Sequence, residues 1–124
     1  MAITKSSVLV LTSTSAAAGS TKASPGATGS WIACSGYYGG DIGISITNGS
    51  SAPGVALTAL IQVSPDNGTT IFDYYAIAGD TTASSVNTYT IKLDQGIMYM
   101  RVIGYGNTTN AVTVAANLQA ITAI

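Results

Sequence analysis

Apolar side chains in this sequence recur at every second position and nowhere with the spacing of an amphipathic helix. Ile42, Ile44 and Ile46 alternate with Gly43, Ser45 and Thr47, and Tyr89, Ile91 and Leu93 alternate with Thr88, Thr90 and Lys92. Val112, Val114, Ala116 and Leu118 repeat the pattern, and Met98, Met100 and Val102 oppose Tyr99, Arg101 and Ile103. Successive side chains of a strand point to opposite faces, so each run specifies a half-buried strand. Val8–Thr14, Ser30–Ser35, Ala56–Ser64 and Thr70–Ala78 are further candidates, for about eight short strands in all.

The punctuation between these runs is turn chemistry. In Ser64-Pro65-Asp66-Asn67-Gly68, Pro65 pre-sets its φ and Asn67 or Gly68 accepts a positive one, which predicts a hairpin. Asp94-Gln95-Gly96 predicts a second hairpin, and Asn48-Gly49 and Gly106-Asn107 end strands in the same way. The expected fold is all-β, an antiparallel β-sandwich of jelly-roll or immunoglobulin-like type, in a single domain spanning 1–124. Residues 13–30 are almost entirely Ser, Ala, Thr and Gly, interrupted by Lys22 and Pro25. Such a stretch has too little apolar area to offset its own ordering entropy. It reads as a loop or arm that orders only against something else, and part of it is expected to lie against a neighbouring subunit, with the domain's own sheet as the alternative.

Composition narrows the function. Only 7% of the 124 residues are charged, the net charge is −1, and there is no His. Four basic residues make no footprint for nucleic acid or an anionic membrane. Without His there is no His-dependent nucleophile. One cysteine, Cys34, makes no internal disulfide and has no basic neighbour in sequence to activate it. Lys5, Val8–Leu11 and Ala16–Ala18 imitate a secretory signal, but four apolar residues are fewer than the roughly 7–15 a signal needs. Asp41, Asp66, Asp73, Asp80 and Asp94 could supply a glycosidase pair, and Asp66, Asn67 and Asp73 a calcium site. Turn placement explains three of these carboxylates without chemistry. The glycosylation-like triplets beginning at Asn48, Asn67 and Asn107 also fall where turns want Asn. No enzyme, cofactor or metal is expected.

A chain that replaces charge with Ser, Thr, Asn and Gly is poorly suited to diffuse alone, because near-zero charge favours association. The strand face Tyr99, Arg101, Ile103 and Tyr105 combines the residue types that interface cores enrich. It is expected to contribute to a contact between chains, with cover by the protein's own loops or second sheet as the alternative. Lys22 and Pro25 join it as candidate contact residues on the arm.

Val63-Ser64-Pro65-Asp66-Asn67-Gly68-Thr69-Thr70 followed by Phe72 resembles a hairpin of small β-sandwich proteins in tailed-bacteriophage virions. Ile97–Val102, Gly106-Asn107 and Ala111–Val114 resemble their closing strands. Tyr99 falls one residue late for the tyrosine corner of an immunoglobulin domain, which keeps a jelly roll open. The resemblance implies a head decoration, or cement, protein on the capsid exterior of a virion. Its partners would be the major capsid protein and further copies of itself, with a trimer favoured. A tail, baseplate or host-adhesion module and a bacterial surface or pilus-like subunit are the alternatives. An adhesion module should group its exposed aromatics at one end of the sandwich, and a cement protein should spread them along a flank or under its base.

Overall fold

A computed structural model describes residues 2–124. Nine strands follow in order: β1 (Thr4–Ala16), β2 (Ala27–Thr28), β3 (Ile32–Ala33), β4 (Gly40–Asn48), β5 (Thr58–Ser64), β6 (Phe72–Ala78), β7 (Val86–Leu93), β8 (Tyr99–Tyr105) and β9 (Val112–Ala123). Sheet A has the order β1-β9-β4-β7, and sheet B the order β2-β8-β5-β6, with β3 also pairing β8. All pairings are antiparallel. With β2 and β3 sharing one position, this is the strand order of a jelly roll, so the immunoglobulin-like option falls away.

The core lies between the inner faces. Ile42, Ile44 and Ile46 of β4 meet Ile61 of β5 and Met100 and Val102 of β8, and Val114 and Leu118 of β9 complete the layer. Burying each large side chain contributes about 1.5–3 kcal/mol. Bulges in β1 opposite β9 let both Val10 and Leu11 turn inward, which strict alternation forbids.

All eight expected strands are present, with shifted ends. The hairpin at Ser64–Gly68 joins β5 to β6 as expected, with Asn67 and Gly68 at φ 58° and 95°. Three expectations need correction. Asp94-Gln95-Gly96 closes no hairpin, because β7 ends in sheet A and β8 begins in sheet B; the turn residues reverse the chain but do not choose the pairing partner. Met98 is 47% exposed, whereas Ile97 packs on the core, since β8 starts only at Tyr99 and the turn before it shifts the alternation. The third concerns residues 13–30: β1 continues through Ala16, and Ala27–Thr28 forms β2 against β8.

Candidate functional site

Tyr99, Arg101, Ile103 and Tyr105 share the outer face of sheet B, as their spacing predicts, but this face is covered by the protein's own chain. The segment from Ala17 to Trp31 leaves β1 and runs as a strap along the β8 edge of the sheet, from which the Lys22 and Trp31 side chains reach onto the outer face. Backbone N–H groups of Gly26 and Gly29 donate to the carbonyls of Gly104 and Val102 at 3.0 and 2.9 Å. At the strap's start, Gly19 N–H donates to Asn107 O at 2.8 Å. Ile103 and its cross-strand partner Leu60 are 1% and 3% exposed. What orders a segment so poor in apolar area is backbone pairing to the edge of β8, together with a polar chain across the sheet.

That chain follows the strand register. Arg101, Gln62 and Asp73 stand side by side on β8, β5 and β6. Arg101 Nε donates to Gln62 Oε1 at 2.9 Å, and Gln62 Nε2 donates to Asp73 Oδ1 at 3.2 Å. Lys22 of the strap pairs with Asp73 Oδ2 and holds the Asp73 carboxyl below its usual range. At the other end the Arg101 guanidinium lies 4.6 Å from the centre of the Trp31 ring. The indole also rests on the β5–β6 turn, where a Cβ on Gly68 would sit 2.3 Å from Trp31 Nε1. Lys22, Arg101 and Ile103 therefore have partners within their own chain. Tyr99, Tyr105 and Pro25 are half-buried beside them.

The exposed aromatics lie elsewhere. Each of β6 and β7 has a strand on one side only, so the two form one open flank of the sandwich. Phe72 and Tyr75 on β6 are 57% and 53% exposed, and Tyr89 and Val86 on β7 are exposed as well. Two tyrosines tie the flank together in opposite directions. Tyr74 of β6 donates its hydroxyl to Lys92 O at 2.9 Å, and Tyr89 of β7 donates to Ala78 O at 2.8 Å. A bulge of β6 opposite Ile61 turns Tyr74 toward the core and leaves Tyr75 in solvent. The adjacent Tyr-Tyr pair signals one inward and one outward ring, but it does not tell which strand is an edge.

Tyr38, the fourth exposed aromatic, stands at the end of the sandwich where β4 begins and β7 ends. An open cleft of about 700 Å³ lies there, lined among others by Lys5, Tyr38, Asp41, Lys92, Asp94 and Gln119. The Gly39-Gly40 pair lets the chain enter β4 against β9, because a Cβ on Gly40 would meet Gln119 O at 2.2 Å. Alternation placed Lys92 on a strand, whereas Asp41 precedes the run that begins at Ile42, and nothing local marked the two as neighbours.

The remaining candidates are structural. Burial pushes the Cys34 thiol up to about 11, which keeps it protonated at neutral pH. Asp66 accepts from the Thr70 N–H and hydroxyl at 2.7 Å each, and Asp80 accepts from Ser85 and Asn87. Asn48 and Asn107 are buried, with their amides donated to backbone carbonyls. No group of three His, Cys, Asp or Glu side chains converges on a metal-sized site among the described residues.

The fold thus defines a class, a jelly-roll β-sandwich. No protein-family model matches the chain. No curated protein matches it. Among solved structures it is similar to a family 29 carbohydrate-binding module from Piromyces equi, over 98% of this chain and 93% of that one. The TM-score is 0.48 and the sequence identity 13%, a likeness of fold alone.

Proposed function

We propose that this chain is a non-catalytic structural protein of a virion, a decoration or cement protein. It binds the head exterior as a homo-oligomer and bridges capsid subunits. The observation that carries this reading is the position of the exposed aromatics: three of the four, Phe72, Tyr75 and Tyr89, lie along the β6–β7 flank. Monomeric sandwiches guard their edge strands with Lys, Pro or covering loops. Here the only charge on β6, Asp73, is bound by Lys22, and the only charge on β7, Lys92, stands at its far end. An edge rich in Tyr and Phe with little free charge supports contact with another chain. Several modest contacts per oligomer then act together, so a shell gains stability without any chemistry.

Particles purified from a culture producing this chain, imaged by electron cryomicroscopy, test the proposal. It expects jelly-roll density on the outside of the head at symmetry-related positions, with Tyr75 and Tyr89 against a neighbouring chain. Density confined to the tail, or absence of the chain from the particles, would overturn it.

A further inference from the structure

Five of the nine charged side chains are engaged in holding the fold. Asp66 closes the β5–β6 turn, Asp80 gathers the β6–β7 loop, and Lys22, Asp73 and Arg101 form the chain across sheet B. The other four, Lys5, Asp41, Lys92 and Asp94, all line the end cleft. In a chain with so few charges, their gathering at one place is the unexplained feature of the surface.

Among the described residues, none of these four side chains forms an ion pair, and Asp94 alone holds a hydrogen bond, with its own turn. Asp41 stands opposite Lys92 on β7 and opposite Gln119 on β9. Apart from Lys22–Asp73, no ion pair forms among the described residues. Asp94 accepts from the Gly96 N–H through Oδ1, which leaves Oδ2 free. The cleft therefore offers ammonium and amide donors and carboxylate acceptors, each able to make hydrogen bonds stronger than those between neutral groups. Its size lies within the range of ligand sites, roughly 300–1,000 Å³.

The chemistry of the lining selects the ligand. Two positive and two negative groups cancel, so the cleft has no net charge with which to hold an anion or a cation. Ile3, Leu93 and Ile121 also line the cleft and suit the apolar C–H faces of a ligand, but a wholly oily ligand would strip water from four charges without returning hydrogen bonds. A neutral ligand ringed with hydroxyls meets both donors and acceptors. The exposed ring of Tyr38 adds a flat apolar surface for the C–H face of such a ligand. We propose that the end cleft, framed by Lys5, Tyr38, Asp41, Lys92 and Asp94, is a binding site for a neutral oligosaccharide. It borders the β6–β7 flank through Tyr74, Lys92 and Leu93, but the exposed rings of Phe72, Tyr75 and Tyr89 lie outside it, so it is tested separately from the assembly reading.

The test is a titration of the isotope-labelled full chain, followed by amide NMR shifts. The probes are maltotriose, cellotriose and mannotriose, with sialyllactose as the acidic comparison. The expected result is saturable shifts at amides around residues 38–41, 92–95 and 119–121 with at least one neutral trisaccharide. Affinity should be in the millimolar range, and Tyr38→Ala and Asp41→Asn should each weaken it about tenfold or more. Both positions are on the surface, and unchanged amide shifts elsewhere verify that each variant folds; Lys5→Gln probes the opposite wall and should also weaken binding. Tyr75→Lys, on the flank, should leave the affinity unchanged. The proposal is overturned if none of the neutral trisaccharides saturates, if sialyllactose alone does, or if Tyr38→Ala and Asp41→Asn bind as the parent chain does.

Discussion

Asn107 shows how a single side chain anchors two distant segments. Its amide donates to Ala16 O and Asn110 O at 3.0 Å each, and its oxygen accepts from the Ser20 hydroxyl at 3.3 Å. It is fully buried, so removing the amide leaves carbonyls without partners and without water. Asn107→Ala should cost about 2–3 kcal/mol, read as a lower urea midpoint with an unchanged slope. Asp66, Asp73 and Asp80 define the response to acid. Hydrogen bonds from Thr70, Lys22 and Ser85, respectively, hold the three carboxyls below their usual range. A depressed native pKa means that the unfolded chain binds more protons in the window between the two values. Stability should therefore be flat above the ordinary carboxylate pKa of about 4 and fall as pH drops below it. Thermal melts across that range check this, and a melting temperature that holds steady into strong acid would contradict it.

At the scale of elements, the strap is the part whose behaviour the sequence conceals. Its composition argues for disorder, and its attachment comes from features that composition does not register. These are backbone pairing of Gly26 and Gly29 to β8, the Lys22–Asp73 pair and the Trp31 ring over Arg101. Hydrogen exchange on the free chain should find the amides of Gly26 and Gly29 protected nearly as well as those of β8. Trp31→Ala removes the ring from both Arg101 and Gly68 and should destabilise the domain by about 2 kcal/mol, with strap amides losing protection first. The strands themselves were legible because each is half-buried and its alternation survives, as in Ile42, Ile44 and Ile46. Positions where alternation breaks were not: the paired burial of Val10 and Leu11, the bulge at Tyr74 and the shift before Tyr99 all depend on partner strands. Sheet membership was hidden for the same reason, since Asp94-Gln95-Gly96 reads alike in a hairpin and in a crossover. The face of Tyr99, Arg101, Ile103 and Tyr105 was legible as a face, but its cover was not. The end cleft joins Lys5, Asp41 and Lys92 from three strands far apart in sequence, and only the sheet order makes them neighbours.

For the whole molecule, the distribution of charge and aromatic rings separates three surfaces. The outer face of sheet B carries the strap's side chains, the end beside Tyr38 carries four charges that form no ion pair among the described residues, and the β6–β7 flank carries exposed rings on two edge strands. The flank is where assembly is expected, because edge strands with exposed apolar side chains favour pairing with a further chain. Tyr74 and Tyr89 brace this flank from within, so Tyr75 can be changed without touching the bonds that close it. Sedimentation velocity of the parent chain and of Tyr75→Lys over a concentration series tests the flank directly. A contact flank predicts concentration-dependent oligomers for the parent chain and a shift to monomer for Tyr75→Lys, with the melting temperature of the dilute protein little changed. A parent chain that stays monomeric throughout, or a Tyr75→Lys variant that assembles as well as the parent, would contradict it.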